Sequence, residues 1–236
     1  MIQVDHLTKE YGGLRAIDDI SLEFPKGQVT ALVGPNGSGK TTLIKCILGL
    51  THPTSGTITV ADQQINGGWE YRKLIGYMPQ IARFPDNLTV RDVLGLVQGV
   101  RGRAERPVNA LADIFNLNGD RKKRMSALSG GTRQKVAAMI AAMFDPPIYI
   151  LDEPTAGLDP ISSGAMKEFI RSRRTEGRTV LLTSHIVSDI ESLADRIVFL
   201  LDGHLMFTGT PDELKARTDR DSLEAAIPQL IQERSR

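Results

Sequence analysis

The stretch Gly34-Pro35-Asn36-Gly37-Ser38-Gly39-Lys40-Thr41-Thr42 constrains this chain more than any other. It has the form G-x-x-x-x-G-K-[ST], and its setting is the one that phosphate binding needs. The apolar run Val29-Thr30-Ala31-Leu32-Val33 before it reads as a buried strand. The periodic Leu43, Ile44, Ile47 and Leu48 after it read as the apolar face of a helix. Glycines let the backbone turn tightly, so that several N–H groups converge on one point. The helix that follows adds its positive end, which favours an anion there. Lys40 supplies a mobile point charge for the β- and γ-phosphates, and Thr41 a hydroxyl for Mg²⁺. A chance glycine turn between strand and helix is the alternative, and the full motif in this setting argues against it. The stretch predicts a nucleoside-triphosphate site.

A chain of 236 residues is long enough for one large domain or two modest ones. Its net charge of +1 gives no global field that would argue for nucleic acid or an acidic substrate. The single cysteine, Cys46, lies in the helix after the loop and reads as a buried small hydrophobe; it excludes an intramolecular disulfide framework. The first residues, Met1 to His6, alternate apolar and polar like a strand and lack a signal-peptide layout. No apolar run approaches the roughly 20 residues needed to span a bilayer. The expectation is a cytoplasmic or peripheral protein whose membrane role comes through a partner.

Taken in order, residues 1–33 read as β-rich: Ile2–Val4, Ile20–Phe24 and Val29–Val33, with Pro25-Lys26-Gly27 as a turn. Tyr11, just before Gly12-Gly13, could stack on a purine base, but by itself reads as ordinary packing. Thr57–Val60 and Ile75–Met78 read as short strands, the second ending at Pro79-Gln80. From about Leu88 to Met125 the pattern turns helical, with basic runs Arg101-Gly102-Arg103 and Arg121-Lys122-Lys123-Arg124 read as solvated surface. Strand–helix alternation resumes at Ile148–Leu151 and Thr179–Thr183, with a helix from about Ser162 between them, the rhythm of a parallel sheet covered by helices. Ile197–Leu201 and His204–Thr208 flank Asp202-Gly203 as a hairpin. Pro211–Arg217 reads as a short helix with Thr210 as N-cap. The tail beyond Thr218 is charged with some helical pattern at Leu223, Ile227 and Leu230-Ile231.

Two further pieces carry chemistry. Ile148–Leu151 runs into Asp152-Glu153, and in a parallel sheet ligands bind beyond the carboxyl ends of strands. Asp152 is therefore expected on the same edge as the phosphate loop, holding Mg²⁺ through water, with Glu153 placed to accept a proton from an attacking water. Most acids are merely solvated, so the pair gains weight only beside the loop. Leu128-Ser129-Gly130-Gly131-Thr132 precedes a helix of small and apolar residues, Val136 to Met143. Ser129 is a plausible N-cap of a buried helix. The same geometry makes a second anion site, with bare N–H groups and close backbone approach.

With these pieces in this order, residues 1–217 resemble the ATP-binding subunit of an ATP-binding cassette (ABC) transporter: Tyr11, the loop Gly34–Thr42, Gln80, the signature Leu128–Thr132, Asp152-Glu153, the turn Ala156-Gly157-Leu158-Asp159, and His185. The resemblance implies an α/β P-loop NTPase cassette with a RecA-like mixed sheet core, an antiparallel β subdomain and a helical subdomain inserted at about 86–145, leaving 218–236 as a short tail. It implies that ATP and Mg²⁺ are bound, with Tyr11 on adenine and Gly34, Pro35, Asn36, Gly37, Ser38, Gly39, Lys40, Thr41 and Thr42 around the phosphates. Gln80 would sense Mg²⁺ and the attacking water and link to the transmembrane partner. Glu153 would be the general base and His185 would contact the γ-phosphate. Asp159 would order the subunit contact. Ser129, Gly130 and Gly131 would bind the ATP held by a second copy, in a head-to-tail pair on the cytoplasmic face of a membrane permease. Taken alone, His185 could be a helix-start polar residue and Gln80 any loop amide. Thr132 departs from the family, which mostly has glutamine there; the Ser-Gly-Gly core is kept.

A soluble ABC-type ATPase acting on ribosomes or DNA is the alternative, but those resemble tandem cassettes or carry long coiled-coil insertions. An ordinary P-loop kinase or GTPase leaves the Ser-Gly-Gly helix start unexplained. The lone cassette with a short tail resembles the ATPases of ABC-2-type exporters. The wording Tyr71–Gln80 and Leu128–Val136 is similar to NosF-type subunits linked to copper processing and nitrous oxide reductase maturation. The chain itself shows no soft-ligand cluster for copper, and His6, His52 and His204 have no metal-ligand spacing.

Overall fold

The computed structural model describes residues 1–234. In chain order the elements are β1 (Ile2–Tyr11), β2 (Leu14–Phe24), β3 (Val29–Val33), α1 (Lys40–Ile47), β4 (Ser55–Val60) and β5 (Gln63–Gln64). There follow β6 (Ile75–Met78), α2 (Val90–Arg101), α3 (Val108–Ile114), α4 (Gly130–Ala142), β7 (Ile148–Asp152), α5 (Pro160–Thr175) and β8 (Thr179–Thr183). The chain ends with α6 (Val187–Leu193), β9 (Arg196–Leu201), β10 (His204–Gly209), α7 (Pro211–Thr218) and α8 (Leu223–Arg234). These elements form two compact units, one from residues 1–72 and the chain from 183 onward, the other from residues 73–182.

The first unit holds an antiparallel sheet in the order β2-β1-β4-β5, and beside it β3 paired in parallel with β9, which pairs antiparallel with β10. β1 and β2 run well beyond the short strands that alternation predicts. Alternation breaks at a bulge near His6, which has φ 47°, and the facing Asp19 has φ 49°; His6 Nδ1 lies 2.8 Å from Asp19 Oδ1. A bulge shifts the period, so the pattern of alternate burial restarts out of phase. β3 is buried at all five positions, as its unbroken apolar run requires. α1 buries Leu43, Ile44, Cys46 and Ile47, and burial pushes the Cys46 thiol up to about 11. Asp202 (φ 46°) and Gly203 (φ 78°) make the β9–β10 turn with both central residues at positive φ, as a two-residue hairpin demands. Thr210 caps α7 in a capping box with Glu213. The tail forms α8, with Leu223, Ala226 and Leu230 fully buried, and the Leu223 N–H donates to Glu191 Oε1 of α6.

The second unit orders its strands β8-β7-β6, with β6 and β7 parallel in the register Ile75↔Ile148 to Met78↔Leu151. Its apolar centre joins α3, α5 and β7 through aromatic contacts: Phe115 to Phe169 at 5.2 Å and Tyr149 to Phe169 edge-on at 5.8 Å. Before β7, Asp145 receives Arg106 Nε (2.7 Å) and the Arg178 guanidinium, while Arg173 pairs with Glu176 at 2.6 Å. Gly76 of β6 is fixed by packing, since a Cβ there would lie 2.2 Å from the Ala141 carbonyl oxygen. α5 begins at Pro160, two residues before the periodicity suggests, because Asp159 caps it and proline suits the first helical position. No described helix is long and apolar enough to cross a membrane.

Candidate functional site

In the first unit the loop 34–42 joins buried β3 to α1 and is shaped by contacts from both sides. Gly34 has φ 151°, and a Cβ there would lie 2.1 Å from the Leu200 carbonyl oxygen of β9. Gly39 has φ 102° and caps α1; its Cβ would lie 2.6 Å from the Ala16 carbonyl oxygen of β2. Both positions need glycine on two counts, conformation and close approach. The Gly203 N–H donates to the Ser38 carbonyl at 3.2 Å, so the β9–β10 turn braces the loop from beneath. Lys40 Nζ donates to the carbonyls of Gly34 (2.7 Å) and Pro35 (2.9 Å), folding its charge back over the loop.

Three observations fit a phosphate seated here. α1, like α3, starts with no side-chain cap and no acid in its first turn, and α6 also lacks a side-chain cap, whereas α2, α4, α5 and α7 are each capped by a side chain. Ser38 is 1% exposed, and its Oγ has no hydrogen-bond partner among the described residues. Pro35, Asn36 and Gly37 stand exposed at the loop tip, with Thr41 exposed and Thr42 half-buried at the start of α1. A helix start without an internal cap, ringed by glycine, is an anion-binding geometry.

Tyr11 ends β1 at the hairpin turn Gly12-Gly13 and is 45% exposed. Its hydroxyl donates to Thr51 Oγ1 at 3.3 Å, and Lys9 Nζ sits 4.6 Å from its ring centroid. It is an open ring, not a core residue. His185 follows β8 and is exposed; the cap position of α6 belongs to Ile186, so His185 is not the start of that helix.

In the second unit the parallel register of β6 and β7 sends Gln80 and Asp152-Glu153 out at the same carboxyl edge. Asp152 ends β7 at 6% exposure, and Gln80 is exposed. Burial, with the nearby charge of Asp152 second, pushes the Tyr77 hydroxyl of β6 up to about 12. Glu153 is half-buried and sits at φ 53°, an uncommon conformation for a residue with a side chain.

Ser129 caps α4 as its residue type predicts, accepting from the Thr132 N–H at 3.2 Å. The Thr132 hydroxyl lies 2.9 Å from Ser129 Oγ, so threonine here joins the cap itself. Gly131 faces the turn after Glu153: a Cβ would come within 3.1 Å of the Gly157 carbonyl oxygen and 3.4 Å of Leu158 Cδ2. A Cβ at Gly130 would meet nothing within 4 Å. Asp159 caps α5, accepting from the N–H groups of Ile161 and Ser162 at 3.0 Å and from Ser162 Oγ at 2.6 Å. Those bonds, the Ser162 hydroxyl first, hold its carboxyl below the usual range.

Reasoning from motifs alone misses the residues that shape the motifs. Ala16, Leu200 and Gly203 form the bed of the phosphate loop, and Gln134 of α4 reaches the backbone of Glu153 with Nε2 donating at 2.7 Å. Only the Asp202-Gly203 turn signal hints at the first group. For Gln134, a polar residue shortly after a helix cap carries no signal.

Comparison with known proteins agrees with this arrangement. The family described as "ABC transporter" matches residues 17–156. The lantibiotic transport ATP-binding protein SrtF of Streptococcus pyogenes is 35% identical over 208 residues, covering 87% of this chain and 89% of the relative. The Nod factor export ATP-binding protein I of Burkholderia lata is 33% identical, covering 90% and 72%. Among solved structures, an ATP-binding subunit of an ABC transporter superposes with TM-score 0.92 at 31% identity, covering 98% and 99%. A dimeric ATP-binding cassette in a post-hydrolysis state with ADP and Pi superposes with TM-score 0.80 at 24% identity, covering 89% and 98%, a likeness of fold. The chain belongs to the ABC transporter family as one of its ATP-binding, ATP-hydrolysing cassettes.

Proposed function

We propose that this cassette binds ATP with Mg²⁺, closes head-to-tail on a second copy of itself, and reopens on hydrolysis to drive a membrane permease in the direction of export. The observation that carries the pairing is Gly130. Gly130 is the exposed first residue of α4, directly after the cap Ser129. Its φ is not positive and a Cβ there would meet nothing within 4 Å among the described residues, so the helix start stands open. A ligand or partner can arrive at the Ser129-Gly130-Gly131 helix start. A solved cassette of the same fold is dimeric with ADP and Pi bound, which supports pairing. A relative named for lantibiotic transport supports transport, and one named for Nod factor export supports the direction. They give no support to the narrower NosF-like, copper-related reading, or to action on ribosomes or DNA.

In this reading residues 1–217 are the cassette, with the helical part inserted at about 86–145 and 218–236 as the tail, working on the cytoplasmic face of the membrane. Tyr11 offers its open ring to adenine. Gly34–Gly39 wrap the phosphates with backbone N–H groups, and Lys40 leaves its loop carbonyls for the β/γ-phosphates. Mg²⁺ neutralises phosphate charge when bound; Thr41, Asp152 and Gln80 are the hard oxygen donors that would hold it or its waters. Glu153 takes the proton of the attacking water, His185 contacts the γ-phosphate, and Asp159 orders the turn that meets the second copy. Hydrogen bonds to charged groups contribute about 1.5–3 kcal/mol each, and moving a two-state equilibrium from 1:99 to 99:1 takes about 5.5 kcal/mol. A few bonds from one signature helix to the ATP of the other copy are therefore enough to switch the pair.

Ser129→Arg tests the reading. Nucleotide affinity of the monomer should stay within about twofold while ATP-dependent pairing, followed by light scattering, disappears. Pairing at the unaltered level would remove the signature from the interface.

A further inference from the structure

The segment between Glu153 and Asp159 is gripped along its length by α4. At its far end Gly131 lies against Gly157 and Leu158, close enough that a Cβ would stand 3.1 Å from the Gly157 oxygen. One turn further along the same helix, Gln134 is 8% exposed and sends Nε2 to the Glu153 carbonyl oxygen at 2.7 Å. The same oxygen accepts the Ala156 N–H at 3.2 Å, and the Leu158 N–H reaches the Thr155 carbonyl at 3.3 Å, so the segment is a chain of tight turns. Glu153 itself holds φ 53°. A residue with a side chain stays in that region only where its surroundings over-determine it. A bond to the carbonyl restricts ψ at Glu153 and so helps to fix the direction in which its Cα–Cβ bond leaves the backbone.

We propose that Gln134 is a positioning residue for hydrolysis: its amide holds the Glu153 backbone so that the carboxylate points at the attacking water, and it ties that aim to the signature helix. Ser129 caps α4 and Gln134 lies on it, less than two turns further along the same rigid helix. A displacement of the helix start, brought about by the ATP of the other copy, is passed to the general base of this copy's own site. Hydrolysis is then licensed by closure as well as by nucleotide. This rests on the reading of Glu153 as general base and of the signature as a contact in trans.

The test is Gln134→Met, which keeps the volume and removes the donor. A misplacement near 1 Å at a reacting group can cost about 100-fold, so kcat should fall about 10- to 100-fold. The nucleotide Kd of the monomer should stay within about twofold, and the ATP-bound pair should persist longer because it closes without turning over. A merely structural role moves these differently: a loosened α4 lowers pairing and kcat together. Gln134→Asn, which keeps a buried amide that falls short of the carbonyl, repeats the measurement should the Met variant melt early, and should show the same split. Turnover within twofold of wild type, or a fall in kcat that tracks lost pairing, overturns the inference. If Glu153→Gln itself hydrolyses ATP normally, the general-base reading fails first; if Glu153→Gln is slow while Gln134→Met is normal, only the role of Gln134 is wrong.

Discussion

Gly34, Lys40 and Glu153 each do one thing whose removal has a distinct signature. Gly34→Ala places a methyl 2.1 Å from the Leu200 oxygen at φ 151°, so β9 and the loop must separate. Overpacking of this kind costs about 1–3 kcal/mol. For a chain of this size each kcal/mol lowers the melting midpoint by roughly 2–4 °C, and thermal unfolding with and without ATP should show a lower midpoint and a smaller nucleotide-induced rise. An unchanged midpoint would mean that the loop is not braced by β9. Lys40→Ala removes the charge that folds over Gly34 and Pro35, and titration with a fluorescent ATP analogue should show much weaker binding. If Glu153 is the base, as proposed, Glu153→Gln should leave binding in place while turnover slows by about 10²–10⁴. Normal phosphate release by that variant would take Glu153 out of the role.

Among the elements, those whose ends are set by local chemistry are legible in the residues themselves. The Thr210-Pro211 start of α7, the Asp202-Gly203 turn and the apolar run of β3 need only neighbouring residues, and they lie where the pattern puts them. β1 outruns its alternation pattern because the bulge at His6 puts its second half out of phase with the first. The bed of the phosphate loop is not legible: Leu200 and Ala16 act through backbone oxygens, which any residue type supplies. Gln134 is not legible for a related reason, since its partner is a carbonyl 19 positions away. Motifs mark the groups that touch a ligand, while the groups that aim them bond to backbone and leave little trace. The capping box of α7 can be tested by itself. Thr210→Ala should cost about 1 kcal/mol, within a range of roughly 0.5–2, seen as a lower urea midpoint with unchanged slope. No change would mean that the α7 start is held by packing instead.

For the whole molecule, the proposed function uses two helix starts of unlike character as phosphate sites. α1 is left without a side-chain cap, while α4 is capped by Ser129 and opened by Gly130. An enzyme acting alone has no use for the second, and a pair needs both. Mixing two defective variants tests that complementarity most directly. Lys40→Ala alone and Ser129→Arg alone should each fail to form ATP-dependent pairs, both measured in the Glu153→Gln background that prevents turnover. In an equimolar mixture, a head-to-tail pair of one of each keeps one intact ATP position, formed by the Ser129→Arg copy's phosphate loop and the Lys40→Ala copy's signature. Light scattering should then show ATP-dependent pairs in the mixture only. A mixture that pairs no better than either variant alone would contradict the sharing of ATP between copies.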